Sequence, residues 1–181
     1  MSINDLAISV VILEVEVMTA EDLLERYAAG ERDFAGVRLG GVLEDVDLSG
    51  INLMGACLGG IRIARSNLTK ANLSSAFMMY SKLTDVNLTE ADLRGACLIK
   101  ASWSNINLTN ACLWYANLTR SGMVESNLSY TNLEETILVN TNLRGCTNTE
   151  SVFRIHDAFI WNLRLPNGNI DEGPYFAFCE Y

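Results

Sequence analysis

The chain has 181 residues, enough for one domain with appended ends, and its 49% hydrophobic content with 2 prolines excludes a disordered polymer. The formal charge of −9 is unevenly placed: −5 over residues 1–42 (8 acids, 3 bases), −1 over 43–147 (9 acids, 8 bases) and −3 over 148–181 (5 acids, 2 bases). A near-neutral middle between acidic ends carries no electrostatic footprint for nucleic acid or anionic lipid.

The apolar run Leu6–Leu13 is too short to span a bilayer, and Glu14 and Glu16 follow it at once. Asp5, and the lack of any Lys or Arg before Arg26, run against a signal peptide. A cytoplasmic location is expected. The five cysteines, an odd number without CxxC spacing, agree with a reducing compartment. Residues Ile8–Val17 are β-branched and strand-like. From Thr19 to Gly30 the pattern is a capped helix, with Thr19 as N-cap, Asp22 in the capping-box position and Gly30 at the end. Leu23, Leu24, Tyr27 and Ala28 form the apolar stripe expected to lie on whatever follows.

A period of five then takes over. Every fifth residue from Leu43 to Leu143 is a sizeable apolar side chain, which chance would produce about one time in a million. Two positions before each centre the residue is small or β-branched, as at Ala56, Ala71, Ala96, Ala116 and Ser121, and Asn or Asp often sits directly before the centre. Neither a helix nor a plain strand has this period. It fits a square coil in which each five-residue unit is one side, the centre and the small residue point inward, and 20 residues complete a turn. The spacing of 20 is explicit in Asp47-Leu48-Ser49, Asn67-Leu68-Thr69, Asn87-Leu88-Thr89, Asn107-Leu108-Thr109 and Asn127-Leu128-Ser129. The side through Leu43, Ile63, Leu83, Trp103, Met123 and Leu143 is the least regular. Phe34 and Leu39 begin the repeat one residue out of phase with Leu43. Trp103 is oversized for its position and calls for a local bulge or for extra room around Ala101. Beyond Asn148 the five-step fails. Phe153, Phe159, Ile160, Trp161, Leu163 and Leu165 precede a Pro166-Asn167-Gly168 turn, and this tail reads as a cap or as a dimerising or partner-docking segment. Pro174–Tyr181 is aromatic without a clear pattern.

Units such as Ala71-Asn72-Leu73-Ser74-Ser75, Ala91-Asp92-Leu93-Arg94-Gly95 and Ala116-Asn117-Leu118-Thr119-Arg120 match A-(D/N)-L-x-x, and over residues 32–147 the chain resembles the pentapeptide-repeat family. The resemblance implies an all-β solenoid: a right-handed quadrilateral parallel β-helix of about five or more coils, roughly 25 Å from the repeat alone, with an N-terminal helical cap. The helix, the Gly-Glu-Arg-Asp-Phe that follows and the closing tail resemble cyanobacterial members, which often start near the position of Met18. The stretch before it is then either an added edge strand or an extension from an upstream start codon. Three parts result: a strand-like segment and capping helix (1–31), the repeat (32–147) and a cap or tail (148–181).

No catalytic residues, metal ligands or cofactor site are expected. His156 is the single histidine, and there is no Walker loop, GxGxxG or CxxC. Cys57 and Cys97 share a side but lie two coils apart, about 10 Å, beyond the reach of a disulfide. The Asn-x-Ser/Thr sequons at Asn67, Asn72, Asn87, Asn107, Asn117 and Asn127 follow from the repeat itself. Acidic pairs such as Glu44/Asp45 and Glu134/Glu135 read as solubilising, and the bases Arg62, Arg65, Lys70, Lys82, Lys100 and Arg120 as scattered.

One surface departs from the polar norm of a solenoid. The side through Leu58, Met78, Leu98, Leu118 and Leu138 presents Phe77, Met79, Tyr80, Ile99, Ile137 and Val139, with Trp114 and Tyr115 at adjacent corners. Exposed apolar patches mark interfaces. The expectation is a protein–protein interaction scaffold or regulator with an unidentified protein partner, a homodimer included, and with neither nucleic acid nor membrane as ligand. Two alternatives stand beside it. One is mimicry of DNA toward gyrase, as in the fluoroquinolone-resistance branch of the resembled family; the other is a purely structural or stress-related role.

Overall fold

A computed structural model of the protein describes residues 17–149 and 157–176. The five-residue unit closes into a coil because its backbone is satisfied twice over. Each centre donates to the coil above, as from Leu68 N–H to the Asn87 carbonyl (2.8 Å), and the residue before it donates to the coil below, as from Asn87 N–H to the Ser66 carbonyl (3.0 Å). At most corners the chain turns through a bond such as Ala71 N–H to the Leu68 carbonyl (3.0 Å), with the corner residue in the left-handed region, for example Lys70 at φ 59°. About seven turns stack into a parallel β-solenoid.

The four sides differ. The strand side carries β3 (Val42–Glu44), β4 (Arg62–Ala64), β5 (Lys82–Thr84), β6 (Ser102–Ser104) and β7 (Gly122–Val124), all parallel and in register. It is the side whose sequence looks least regular. Its chain stays extended where the corners after it lack the turn bond, while the N–H groups of Asp45, Arg65 and Asp85 make the same rung to the next coil that corner residues make on the other sides. Ser66 and Ser126 hydroxyls accept from the N–H groups of Val46 (3.3 Å) and Ile106 (3.1 Å), which this geometry leaves over. The asparagine side stacks Asp47, Asn67, Asn87, Asn107 and Asn127. Asn107 Nδ2 donates to Thr89 Oγ1 (3.0 Å), while Asn107 Oδ1 accepts from Thr109 N–H (3.1 Å) and Thr109 Oγ1–H (2.6 Å). A third, mixed side runs through Asp33, Asn52, Asn72, Asp92, Cys112 and Asn132, and the apolar side through Arg38, Cys57, Phe77, Cys97, Asn117 and Ile137.

Every centre is buried, and the small residues behind them fill the bore. Trp103 fits without a bulge, since β6 keeps register with both neighbours. Room comes from Ser81, which stands where the preceding coil has Ile61; the indole Nε1–H donates to the buried Ser81 Oγ (3.1 Å).

Helix α1 (Ala20–Ala28) caps the first coil, with the expected capping box between Thr19 and Asp22. Leu23 is fully buried, Leu24 and Tyr27 are half-buried, and Tyr27 donates its hydroxyl to the Ser49 carbonyl (2.8 Å). Ala28, expected in the buried stripe, is exposed, because the helix touches the coil along one narrow edge and ends at that residue. Val17–Met18 form β1, a parallel edge strand on β2 (Arg38–Leu39). Residues 8–16 of the strand-like stretch lie outside the described residues. The phase slip appears as a 19-residue step, Arg38 to Cys57, taken up at Gly40–Gly41; Gly41 has φ 98°, which suits glycine.

At the other end β8 (Ile137–Val139) pairs in parallel with β9 (Phe159–Trp161), which turns into β10 (Leu163–Arg164). The Pro166-Asn167-Gly168 turn reverses the chain into β11 (Ile170–Asp171), antiparallel to β10, and β12 (Tyr175–Phe176) lies antiparallel on β9. This return lays a short antiparallel strand over the last rung of two sides and so covers their parallel edges. Phe153 and His156 lie outside the described residues, as does the segment after Phe176.

Candidate functional site: the apolar side and its corners

The outward side chains of the apolar side form two ladders, before and after the buried centres Leu39, Leu58, Met78, Leu98, Leu118, Leu138 and Ile160. They divide the eight expected interface residues into clusters. Phe77, Met79, Tyr80 and Ile99 occupy adjacent coils: Phe77 stands between Cys57 and Cys97, and Tyr80 N–H donates to the Ile99 carbonyl (3.1 Å). Phe77 is 55% and Tyr80 53% exposed, whereas Met79 and Ile99 are half-buried between their ladder neighbours. The next coil interrupts the patch with Asn117 and Thr119. Beyond it Ile137 pairs with Phe159 and Val139 with Trp161. Trp114 and Tyr115 stand at the corner with the mixed side, 5.3 Å apart between ring centres, and the Trp114 Nε1–H reaches Glu135 Oε1 (3.3 Å). Tyr115, Ile137, Phe159 and Phe176 wall a shallow groove beside β12, with Glu135 and Asp157 at its rim. A second groove opens between Val17 and Phe77, where Gly40 and Gly59 leave space.

Tyr80 and Tyr115 occupy corners with φ of 60° and 64°. Bulky residues are disfavoured in that region, where Gly or Asn would be easier. The corner conformation does not itself favour tyrosine here; Tyr80 meets Lys100 and Tyr115 meets Trp114.

The bases are not scattered. Arg65 is held by Asp45 (2.8 Å) and Glu44 (2.9 Å), Lys70 faces Glu90 (3.5 Å) and Arg94 pairs with Asp92. The Glu44/Asp45 pair thus does more than solubilise: the guanidinium holds the Asp45 carboxyl below its ordinary range. Four of the other five bases of the repeat, Arg62, Lys82, Lys100 and Arg120, line one corner, where the apolar side meets the strand side. Arg62 and Lys82 are register partners on neighbouring strands, and Lys100 reaches Tyr80 of the coil below, Nζ to hydroxyl 3.2 Å. Among the described residues none of the four has a carboxylate partner. Sequence reasoning missed this ridge, and it read Phe159 and Trp161 as part of a cap or docking tail without placing them on the apolar side. The groups of His, Cys, Asp and Glu among the described residues include none that could hold a metal ion, and no helix there is long and apolar enough to cross a membrane.

Comparison with known proteins bears on the scaffold. A comparison with curated proteins finds no match. Among solved structures, the chain is similar to a pentapeptide repeat protein from the cyanobacterium Cyanothece 51142 (26% identity, TM-score 0.38, covering 69% of this chain and 94% of that one). It is similar to another from Nostoc PCC 7120 (29% identity, TM-score 0.33, covering 65% and 88%). HetL, a pentapeptide repeat protein of Nostoc sp. strain PCC 7120 involved in heterocyst differentiation regulation, is 21% identical (TM-score 0.22, covering 85% and 100%). The family model for pentapeptide repeats matches in 8 copies over residues 47–85, 87–121 and 124–147, more than half of the chain, and the chain belongs to the pentapeptide-repeat family.

Proposed function

We propose that this chain is a non-enzymatic interaction scaffold that holds a partner protein along its apolar side, in the cytoplasm. Pentapeptide-repeat proteins are generally structural or binding scaffolds. The observation that carries the reading is the cluster of Phe77, Met79, Tyr80 and Ile99, in which a phenylalanine and a left-handed tyrosine are more than half exposed. A solenoid side presents such residues on a rigid, flat frame, so little ordering entropy opposes docking. The partner is a different protein or a second copy of the chain. The cationic corner, without a carboxylate partner among the described residues, has the wrong sign for a mimic of duplex DNA.

The test is a Phe77→Ser, Tyr80→Asn double variant beside the wild type. Both changes are at exposed positions, and Asn suits the left-handed corner, so the fold is expected to persist. Light scattering gives the solution mass of each, and a pull-down from host lysate gives stoichiometric partners. The reading expects either a wild-type dimer that becomes a folded monomer in the variant, or a partner retained by the wild type and lost by the variant. Identical mass and identical retained proteins for both would exclude the apolar side as the docking surface.

A further inference from the structure

Resting on that reading, we infer that the partner element is an amphipathic α-helix with one acidic edge, laid along the solenoid axis over the corner of Arg62, Lys82, Lys100 and Arg120 and the adjoining Phe77, Met79 and Ile99. Four exposed cations follow one another up four successive coils, and none has a carboxylate partner among the described residues. Arg62 and Lys82 are direct neighbours across strands, a like-charge arrangement that costs stability unless an anion relieves it. Directly beside them lies the apolar cluster, so the surface is cationic along one edge and apolar along the next.

The spacing selects a helix. Coils rise by about 4.8 Å, which places the four cations at heights of roughly 0, 5, 10 and 14 Å. An α-helix rises about 1.5 Å per residue, so acidic residues at positions i, i+3, i+7 and i+10 stand at roughly 0, 4.5, 10.5 and 15 Å on one narrow arc. Positions i+4 and i+8, at roughly 6 and 12 Å, fall on the neighbouring arc and meet Met79 and Ile99 of the apolar cluster. An extended strand, with like-facing residues about 6.7 Å apart, drifts out of register after two coils. A long polyanion would also meet the cations, but the net charge of −9 repels it more than a short local helix.

The probe is a fluorescent peptide of about 18 residues, helical by design, with Glu at the four acidic positions and Leu at the two apolar ones. Its partner peptide carries Gln in place of Glu. A thymidine oligonucleotide and phosphatidylserine vesicles serve as competing polyanions, and full-length wild type is compared with Lys82→Glu/Lys100→Glu and with Phe77→Ser/Tyr80→Asn. The inference expects saturable binding of the Glu peptide, weakened roughly tenfold or more by Gln replacement, by added salt and by the charge reversal. Equal binding of the two peptides overturns it, as does no binding by either, unchanged binding by the charge-reversed protein, or preference for the oligonucleotide or the vesicles. The two readings part on the second variant. Binding lost by Phe77→Ser/Tyr80→Asn but unaffected by charge reversal sinks the acidic helix and keeps the apolar docking side. The reverse pattern sinks the apolar side as the docking surface.

Discussion

Replacing Ser81 by Ala tests whether Trp103 is accommodated by its neighbour in the coil below. Both residues are buried, and the indole N–H has its hydrogen bond to Ser81 Oγ at 3.1 Å. Removing that oxygen strands a donor where water has no entry, at a cost of about 1–3 kcal/mol. Trp103→Leu restores the side chain that three of the six centres on this side carry and removes the stranded donor, at the expense of a void where the ring lay. In the Trp103→Leu background Ser81→Ala has no donor to strand, so a double-mutant cycle should show coupling of about 1–2 kcal/mol. Adding Ser81→Ile to Trp103→Leu copies the Ile61/Leu83 arrangement one coil below and should recover part of the loss by filling the void. The assay is urea unfolding followed by far-ultraviolet circular dichroism, with coincidence of a fluorescence probe checked because stacked repeats can unfold in stages. A Ser81→Ala cost below about 0.3 kcal/mol, or strictly additive single effects, would refute the reasoning.

Further expectations concern the cap, the acid limb and the thiols. Thr19→Ala removes the acceptor for Asp22 N–H and should lower stability by about 1 kcal/mol; Thr19→Asp, which keeps an acceptor, should retain most of it in the same urea titration. Hydrogen bonds lower the carboxyl pKa of Asp22 (from Thr19), Glu31 (from Arg26), Asp45 (from Arg65) and Asp92 (from Arg94). A depressed folded pKa gives stability that is full above the unfolded values near 4 and lost as pH falls through the folded ones. The urea midpoint should therefore hold above about pH 5 and fall below about pH 4, less steeply in Arg65→Met, and a midpoint that rises with acidification contradicts this. Burial pushes the Cys146 thiol up to about 11, and its Sγ–H donates to the Met123 carbonyl, whereas Cys57, Cys97 and Cys112 are half-exposed. Timed alkylation read by peptide mass spectrometry should label those three before Cys146, and early labelling of Cys146 would show that the last coil opens.

The solenoid, its buried centres and the helix cap were legible in the residues alone, and the physical reason is locality. A five-residue side exposes its inward positions as a period, and a capping box spans four residues. Even the phase slip before Leu43 could be read, because a missing residue in a strict repeat is as visible as the repeat. The slip between Leu39 and Leu43 falls at Gly40 and Gly41, which take the corner. The candidate surface was legible in part: Phe77, Met79, Tyr80 and Ile99 share one side by arithmetic, and the structure groups them.

Tertiary structure decided what the period hides. A corner is shared by the last residue of one side and an early residue of the next, so Lys100 and Arg120 belong to one phase of the repeat and Arg62 and Lys82 to another. Along the chain they look scattered; in space they form one edge. Ser81 as the partner of Trp103, the extended strands of the side with the least regular sequence, and the return of β12 onto β9 are likewise contacts between coils. Residues 20 or more apart become neighbours there through backbone bonds that every unit makes alike. Composition along the chain carries little of that information.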